Sequence, residues 1–120
     1  IVSSVIRHLF SLGYLNDRQF AARWAAGRVR MRGFGRRRIE QELRQKGIDG
    51  EDIRAALADL FAEESEAEIA RREAEKKLRM LQRYGPDVRR RRLAGYLERK
   101  GYPSGIIREI LREMQEQAAR

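Results

Sequence analysis

The residues of this sequence best placed to bind another molecule lie in the run RVRMRGFGRRRIEQELRQKG, from Arg28 to Gly47. Six arginines precede its first acidic residue, Glu40. They are Arg28, Arg30, Arg32, Arg36, Arg37 and Arg38. Arginine side chains are permanently charged and bind phosphate or carboxylate oxygens. The run therefore predicts an anion-binding surface.

Three of these arginines fill the first turn of a predicted amphipathic helix, 36–46, which has Ile39 and Leu43 on one face and ends at Lys46-Gly47. The free N–H groups and the dipole at a helix N-terminus repel cations and attract anions. The arginines are therefore either a solvated basic turn, at a small cost in stability, or part of a site that an anionic partner completes. The second interpretation is favoured because the arrangement recurs later in the chain. It predicts that reversing all three charges weakens binding and leaves the fold intact.

The overall charge also favours an anionic partner. The 120 residues have a net charge of +9 and a pI near 10.7, which favours nucleic acid, a nucleoprotein or an acidic protein face. A membrane is not expected as a partner, since no apolar run approaches the roughly 18 residues of a span and there is no signal-peptide pattern. The lack of cysteine is compatible with a reducing cytoplasm. Because the chain starts at Ile1 in helical pattern, we interpret it as a fragment.

No group of residues has the spacing of a catalytic or metal site. His8 is the one histidine, and no cysteine or carboxylate cluster accompanies it. Gly33-Phe34-Gly35 is too short to be a nucleotide-binding fingerprint. The six glutamates between residues 63 and 75 are interspersed with arginines and are predicted to form a solvated helix face. The sequence therefore predicts a protein that is not an enzyme and requires no cofactor.

Helices must position the arginines, because no segment alternates as a strand does. Helices are predicted over 1–13, with Gly13 as a stop, and from Asp17 to about Met31, with Asn16 as the N-cap. The buried side of the second helix is expected to contain Phe20, Ala21, Trp24 and Ala25. A long polar helix over 63–83 and a helix over 87–100 are predicted further on, with shorter helices around Leu57 and Leu111.

Phe34 lies between two glycines in the basic loop and has two possible roles. It is either an exposed stacking or anchoring residue, or a plug that fills the turn between the helices. The sequence leaves both roles open.

An internal repeat relates the two halves of the helical pattern. With a shift of 54 residues, nine positions match: Arg36, Arg37, Arg38, Leu43, Lys46, Gly47, Ile53, Arg54 and Leu57 align with Arg90, Arg91, Arg92, Leu97, Lys100, Gly101, Ile107, Arg108 and Leu111. Each unit contains a long helix, an arginine-led helix, an apolar turn after Lys-Gly and a third helix. Such units bury their apolar faces by stacking. The sequence therefore predicts an all-α protein of tandem three-helix repeats stacked into an elongated, curved array.

Three motifs of the chain resemble those of the RecX family. They are GYLNDRQF at 13–20, R-x-R-x-R-G-x-G-x-R-R-I-x-x-E-L-x-x-K-G-I from 28 to 48, and K-x-L…YG…YLxRKGY from 77 to 102. The resemblance implies a bacterial, cytoplasmic protein in which 1–15 is the last helix of a truncated first repeat, 16–62 the second repeat and 63–120 the third. Family members often have Pro where Arg36 stands, and Ser or Asp where Pro103 stands.

The resemblance also implies a function. RecX proteins bind the RecA recombinase filament on DNA and negatively regulate it, so this chain is expected to inhibit the filament's ATPase, strand exchange and growth as a monomer. Its expected contacts to single-stranded or double-stranded DNA phosphates, or to acidic RecA surface, are Arg28, Arg30, Arg32, Phe34, Arg36, Arg37, Arg38, Arg89, Arg90, Arg91 and Arg92. The alternative is a stand-alone nucleic-acid-binding helical protein in which the same arginines contact phosphates without sequence preference.

Overall fold

A computed structural model describes the backbone of residues 2–119 and the side chains of residues 17–119. The chain forms six helices: α1 (Val2–Arg32), α2 (Arg36–Gln45), α3 (Gly50–Glu63), α4 (Glu66–Met80), α5 (Pro86–Lys100) and α6 (Ser104–Ala119). Residues 2–119 contain no β-strand. The prediction of an all-α protein is confirmed.

The first helix is longer than predicted. α1 is continuous over 31 residues, Val2–Arg32, so the predicted stop at Gly13 and the predicted N-cap at Asn16 are wrong. One glycine inside a helix costs only about 1 kcal/mol relative to alanine, and the helical pattern on both sides of Gly13 outweighs that cost. The side chain of His8 lies outside the side chains that the structure describes.

Small residues set the packing of α1 on α3, its main neighbour. Ala21 and Ala25 are fully buried, as predicted. The prediction for Phe20 is wrong, because its side chain is 41% exposed and stacks at 5.7 Å on Trp24, which is itself only partly buried. Alanines allow the two helices to approach closely, and the large rings are thereby displaced to the edge of the contact.

The long polar helix is shorter than predicted. α3 ends at Glu63, and Ser65 precedes a separate helix, α4, of 15 residues. The turn after α4 contains the buried Leu81, and the guanidinium of Arg89 donates to the carbonyl oxygens of Tyr84 (2.7 Å) and Gln82 (2.9 Å) within it. These bonds satisfy carbonyl oxygens of the turn that leads to Pro86, where α4 has ended and its helical N–H donors are missing. Pro86 opens the next helix at its first position, as expected.

Each half of the chain has its own hydrophobic core. Buried residues of α1 to α3, including Ile39, Leu43 and Ile53, form the first core, and residues of α4 to α6, including Leu93 and Leu97, form the second. Val29 and Phe61 pack against both cores. The molecule measures 70 × 23 × 21 Å, which confirms the predicted elongation, whereas its curvature stays a prediction.

Matched positions of the internal repeat occupy matched places in the two halves. Leu43 and Leu97 are fully buried, and Gly47 and Gly101 follow α2 and α5 with left-handed φ angles of 82° and 94°. Such φ angles favour glycine, which explains why Lys-Gly ends the helix in both units.

The two halves meet where the turn Gly33-Phe34-Gly35 contacts the turn Lys100-Gly101-Tyr102. We call this contact the junction. The Gly35 amide donates to the Lys100 carbonyl oxygen at 2.8 Å, and the Arg37 amide donates to the Gly101 carbonyl oxygen at 3.0 Å. The Tyr102 hydroxyl donates to the Gly33 carbonyl oxygen at 2.6 Å. A Cβ on Gly35 would lie 2.7 Å from the Gly101 carbonyl oxygen. Only glycine therefore permits this approach.

We predict that Gly35→Ala destabilises the protein more than Gly85→Ala. Both glycines are N-caps in extended conformation, with φ of −88° and −71°, but a Cβ at Gly85 would meet nothing within 4 Å. Both substitutions replace an N-cap glycine by alanine. The difference between their effects on the free energy of unfolding therefore measures the cost of a Cβ at the junction. We expect Gly35→Ala to lower the free energy of unfolding in urea by about 1–3 kcal/mol more than Gly85→Ala. Equal losses would show that the junction adjusts at no cost.

Candidate functional site

The N-terminus of α2 already has an anionic partner inside the protein. Glu66, at the start of α4, accepts hydrogen bonds at 2.7 Å from the Arg36 backbone N–H and at 2.7 Å from the Arg36 guanidinium. Its residue is only 6% exposed. A buried carboxylate at a helix N-terminus satisfies free N–H groups and the positive end of the dipole together. The anion predicted to complete this turn is therefore supplied by the next helical unit of the same chain.

Phe34 is a plug and not an exposed stacking residue. Its residue is 5% exposed and belongs to the first core. Three cations lie over its ring, with Arg38 at 4.3 Å, Arg28 at 4.7 Å and Lys100 at 5.4 Å from the ring centroid. Arg38 also donates to the Arg99 carbonyl oxygen at 3.0 Å. The first of the two roles considered for Phe34 is therefore wrong, and Arg38 contributes to the junction.

Arg28 is likewise engaged within the fold. It donates to both carboxylate oxygens of Glu42, at 2.9 and 2.5 Å, and its guanidinium lies 5.1 Å from the Trp24 ring centroid. The Trp24 indole N–H donates to the same carboxylate at 3.1 Å. Burial acts to raise the pKa of Glu42, but the hydrogen bonds from Arg28 and Trp24 outweigh it and lower that pKa. The charge of Arg28 is therefore matched by a carboxylate on α2.

The four arginines that open α5 have different environments. Arg89 binds the carbonyls of the preceding turn, as described above. Arg90 makes a long contact of 3.5 Å to the Leu111 carbonyl oxygen, and Arg92 lies 4.2 Å from the Tyr84 ring centroid. Arg91 is exposed and has no hydrogen bond, ion pair or ring contact to the described side chains.

Four of the predicted contact residues have side chains without a partner in the described part of the chain. The guanidinium groups of Arg30, Arg32, Arg37 and Arg91 are exposed and have no hydrogen bond, ion pair or ring contact within residues 17–119. Arg37 and Arg91 are equivalent under the internal repeat. The structure therefore divides the predicted set into residues held by the fold and these four.

The prediction of a solvated glutamate face is confirmed for Glu63, Glu64, Glu68 and Glu75, which are exposed, and is wrong for the other two glutamates. Glu66 and Glu73 are buried, and they share one side of α4 with Ile69 and Ala70. The Glu73 carboxylate occupies the space that a Cβ on Gly33 would need. Helical spacing of Glu66 and Glu73 with Ile69 was the available signal, because residues three and four apart share a face.

Tyr102, which sequence reasoning treated only as an apolar turn residue, is a second missed contributor. Burial raises its pKa, and the charges of Glu73 and Glu66 raise it further. The hydroxyl therefore stays protonated and keeps its hydrogen bond to Gly33. The repeat contained the signal, since Tyr102 stands where the first unit has Ile48.

The part of the chain that the structure describes has neither a candidate metal site nor a candidate membrane-spanning helix. The side chains of residues 17–119 include no group of three or more histidine, cysteine, aspartate or glutamate residues that could hold a metal ion. Over the same part of the chain, no helix combines the length and apolar character that crossing a membrane requires.

Comparison with known proteins places the chain in a family. Residues 16–57 match the model of the second three-helix domain of RecX, and residues 63–111 match that of the third. The chain is 38% identical over 113 residues to the regulatory protein RecX of Streptomyces coelicolor, covering 94% of this chain and 60% of that protein. Against the regulatory protein RecX of Thermobifida fusca the identity is 34%, with the same coverage.

Solved structures agree with the fold. The crystal structure of RecX from Lactobacillus salivarius superposes with a TM-score of 0.77 at 24% identity, covering 95% of this chain and 73% of that one. A second crystal structure of a regulatory protein RecX gives 0.74 at 29% identity, covering 91% and 54%. The chain belongs to the RecX family. It spans about 60% of the length of the curated relatives above.

We predict that Arg36 and Arg37, although adjacent, differ in their effect on stability. Arg36→Gln leaves the buried Glu66 carboxylate without its guanidinium partner and should lower the free energy of unfolding by about 1–2 kcal/mol. Arg37→Gln should change it by less than about 0.5 kcal/mol. Urea unfolding followed by circular dichroism measures both. The sequence led us to expect that charge reversal at all three arginines would leave the fold intact, and the structure instead assigns Arg36 a stabilising role. Equal changes in the free energy of unfolding for the two variants would favour the original expectation.

Proposed function

We propose that this chain is a negative regulator of the RecA recombinase that binds the RecA–DNA filament through its basic helical repeats. It inhibits the filament's ATPase, strand exchange and growth, and it does so as a cytoplasmic monomer without catalytic activity. Family membership supports the choice of partner. The observation that carries the proposal is the set of four exposed arginines that have no partner among the side chains of residues 17–119, in a chain of net charge +9.

The remaining arginines of the predicted set act indirectly in this proposal. They hold carboxylates, carbonyls or rings of the fold, and they position the surface from which the four exposed arginines project: Arg28, Arg36, Arg38, Arg89, Arg90 and Arg92. Since Glu66 occupies the α2 N-terminus, an incoming phosphate is bound by guanidinium groups and not by free helix N–H groups.

The shape of the molecule suggests how binding inhibits. An array 70 Å long, whose halves are joined by backbone and side-chain hydrogen bonds, presents Arg37 and Arg91 at two fixed places. We propose that it contacts neighbouring RecA subunits or successive DNA phosphates at once. A filament bound in this way loses the freedom to rearrange that nucleotide turnover and strand exchange require.

We also propose the domain assignment 1–15, 16–62 and 63–120 as the end of the first repeat, the second repeat and the third repeat. The two separate cores support the division between the second and third.

The experiment compares two double variants that remove the same charge. Arg37→Gln/Arg91→Gln removes two exposed arginines of the predicted contact set. Arg54→Gln/Arg108→Gln removes two exposed arginines that are related by the same repeat but lie outside that set. Binding to preformed RecA–single-stranded-DNA filaments is measured at physiological salt, with filament ATPase recorded in parallel. We expect about tenfold weaker binding and weaker ATPase inhibition for the first variant, and less than about twofold change for the second.

Bare single-stranded DNA serves as the comparison ligand. Much tighter binding to filaments than to bare DNA, together with a fall in ATPase, supports the regulator. Equal binding to both, lost steeply as salt rises and without effect on ATPase, would instead indicate a stand-alone nucleic-acid-binding protein.

A further inference from the structure

A cleft of about 700 Å³ lies between the two halves of the molecule, beside the junction. Its walls come from the end of α1, the end of α3, the α4 residues between Ile69 and Lys76, and the α5 residues Tyr96 and Lys100. We call this space the inter-repeat cleft. The function assigned above to Arg37 and Arg91 does not use it, because neither residue lines it.

The inter-repeat cleft is electropositive. Five cationic and two anionic side chains line it, which leaves a net charge of +3. Both carboxylates are already paired, Glu64 with Arg72 and Glu73 with Lys76 at 3.5 Å. Arg30 and Arg32 have no such partner among the described side chains. Burial lowers the pKa of Lys100, and the positive charges of Arg32, Arg38 and Lys76 lower it further against the effect of Glu73.

The floor of the inter-repeat cleft is apolar. Val29, Leu60 and Ile69 line it, together with Ala26. At its mouth, Met31 is 78% exposed, the largest exposure among the large hydrophobic residues described. A methionine held in water beside an apolar floor gives an adaptable contact surface for another apolar side chain.

We propose that the inter-repeat cleft binds a segment of the partner protein in which a large apolar side chain is flanked by carboxylates. The apolar side chain packs on Val29, Leu60 and Ile69 and against Met31. The flanking carboxylates pair with Arg30 and Arg32 at the rim. This inference rests on the proposed function, because the partner protein is the RecA filament.

The composition of the cleft favours a protein segment over nucleic acid. A phosphate backbone would bring negative charge for the rim but no apolar group for the floor formed by Val29, Leu60 and Ile69. An apolar anchor inside a charged rim is the usual arrangement at the centre of a protein–protein contact. DNA therefore binds elsewhere, at Arg37 and Arg91.

The test places a photoreactive side chain at the mouth of the cleft. Met31→p-benzoylphenylalanine is irradiated with preformed RecA–single-stranded-DNA filaments, and Met80→p-benzoylphenylalanine is the control, since Met80 is 71% exposed on α4 outside the cleft. We expect the first variant to crosslink to a RecA peptide containing a large apolar residue beside aspartate or glutamate. The control should give little or none of this product.

A charge-matched pair of variants tests the rim. Arg30→Gln/Arg32→Gln removes two cations from the last turn of α1 at the cleft, and Arg79→Gln/Arg99→Gln removes two from the last turns of α4 and α5 outside it. We expect the first pair to weaken filament binding about three- to tenfold and the second less than about twofold.

Crosslinking of position 31 to DNA, or filament binding that is unchanged by Arg30→Gln/Arg32→Gln, would overturn the inter-repeat cleft as a protein-binding site and leave the regulator intact. Failure of the unmodified chain to bind filaments at all would overturn both proposals.

Discussion

The interaction on which the structure depends is the bond between the α2 N-terminus and Glu66. The first turn of α2 contains three arginines and no acid, so it would be unfavourable if the helix were isolated. Glu66 belongs to the other half of the chain, 30 residues away, and its carboxylate binds both the backbone and the guanidinium of Arg36. The arginine-led helix is therefore stable because the second half of the molecule is in place. The close approach of Gly35 to Gly101 follows from the same docking.

This arrangement separates two uses of arginine that look identical in the sequence. Arg36, Arg37 and Arg38 are consecutive, yet the guanidinium groups of Arg36 and Arg38 bind the other half of the chain, whereas Arg37 contacts it only through its backbone N–H. Arginines such as Arg36 and Arg38 are held by internal carboxylates and carbonyls, and the positive charges of these arginines stabilise the fold. Exposed arginines such as Arg37 give the surface its positive potential, which directs the molecule toward polyanions. Since the two kinds alternate along the helix, one run of charge both holds the repeats together and presents a binding face.

Local pattern was enough to predict the helices and their repetition, because apolar spacing, the Lys-Gly ends and Pro86 act over a few residues. The predicted helix stop at Gly13 was wrong, because a single glycine does not end a helix whose pattern continues on both sides. The predicted end of α4 was also wrong, because Arg89 binds the carbonyls of the turn that follows α4. The roles of Phe34, Glu66 and Glu73 could not be deduced from local pattern, because their partners lie in other helices. The Tyr102–Gly33 bond joins residues 69 apart. Only the tertiary structure shows that the guanidinium groups of Arg37 and Arg91 have no partner within residues 17–119, whereas those of Arg36 and Arg38 do.

The junction makes the two repeats one cooperative unit, because hydrogen bonds join them, and native-state hydrogen exchange tests this cooperativity most directly. The amides of Ile39 and Leu43 report on the first core, and those of Leu93 and Leu97 report on the second. We expect both pairs to exchange through the same opening, with free energies of opening that agree within about 1 kcal/mol. Opening of one core at a free energy several kcal/mol below that of the other, with the second still protected, would contradict it.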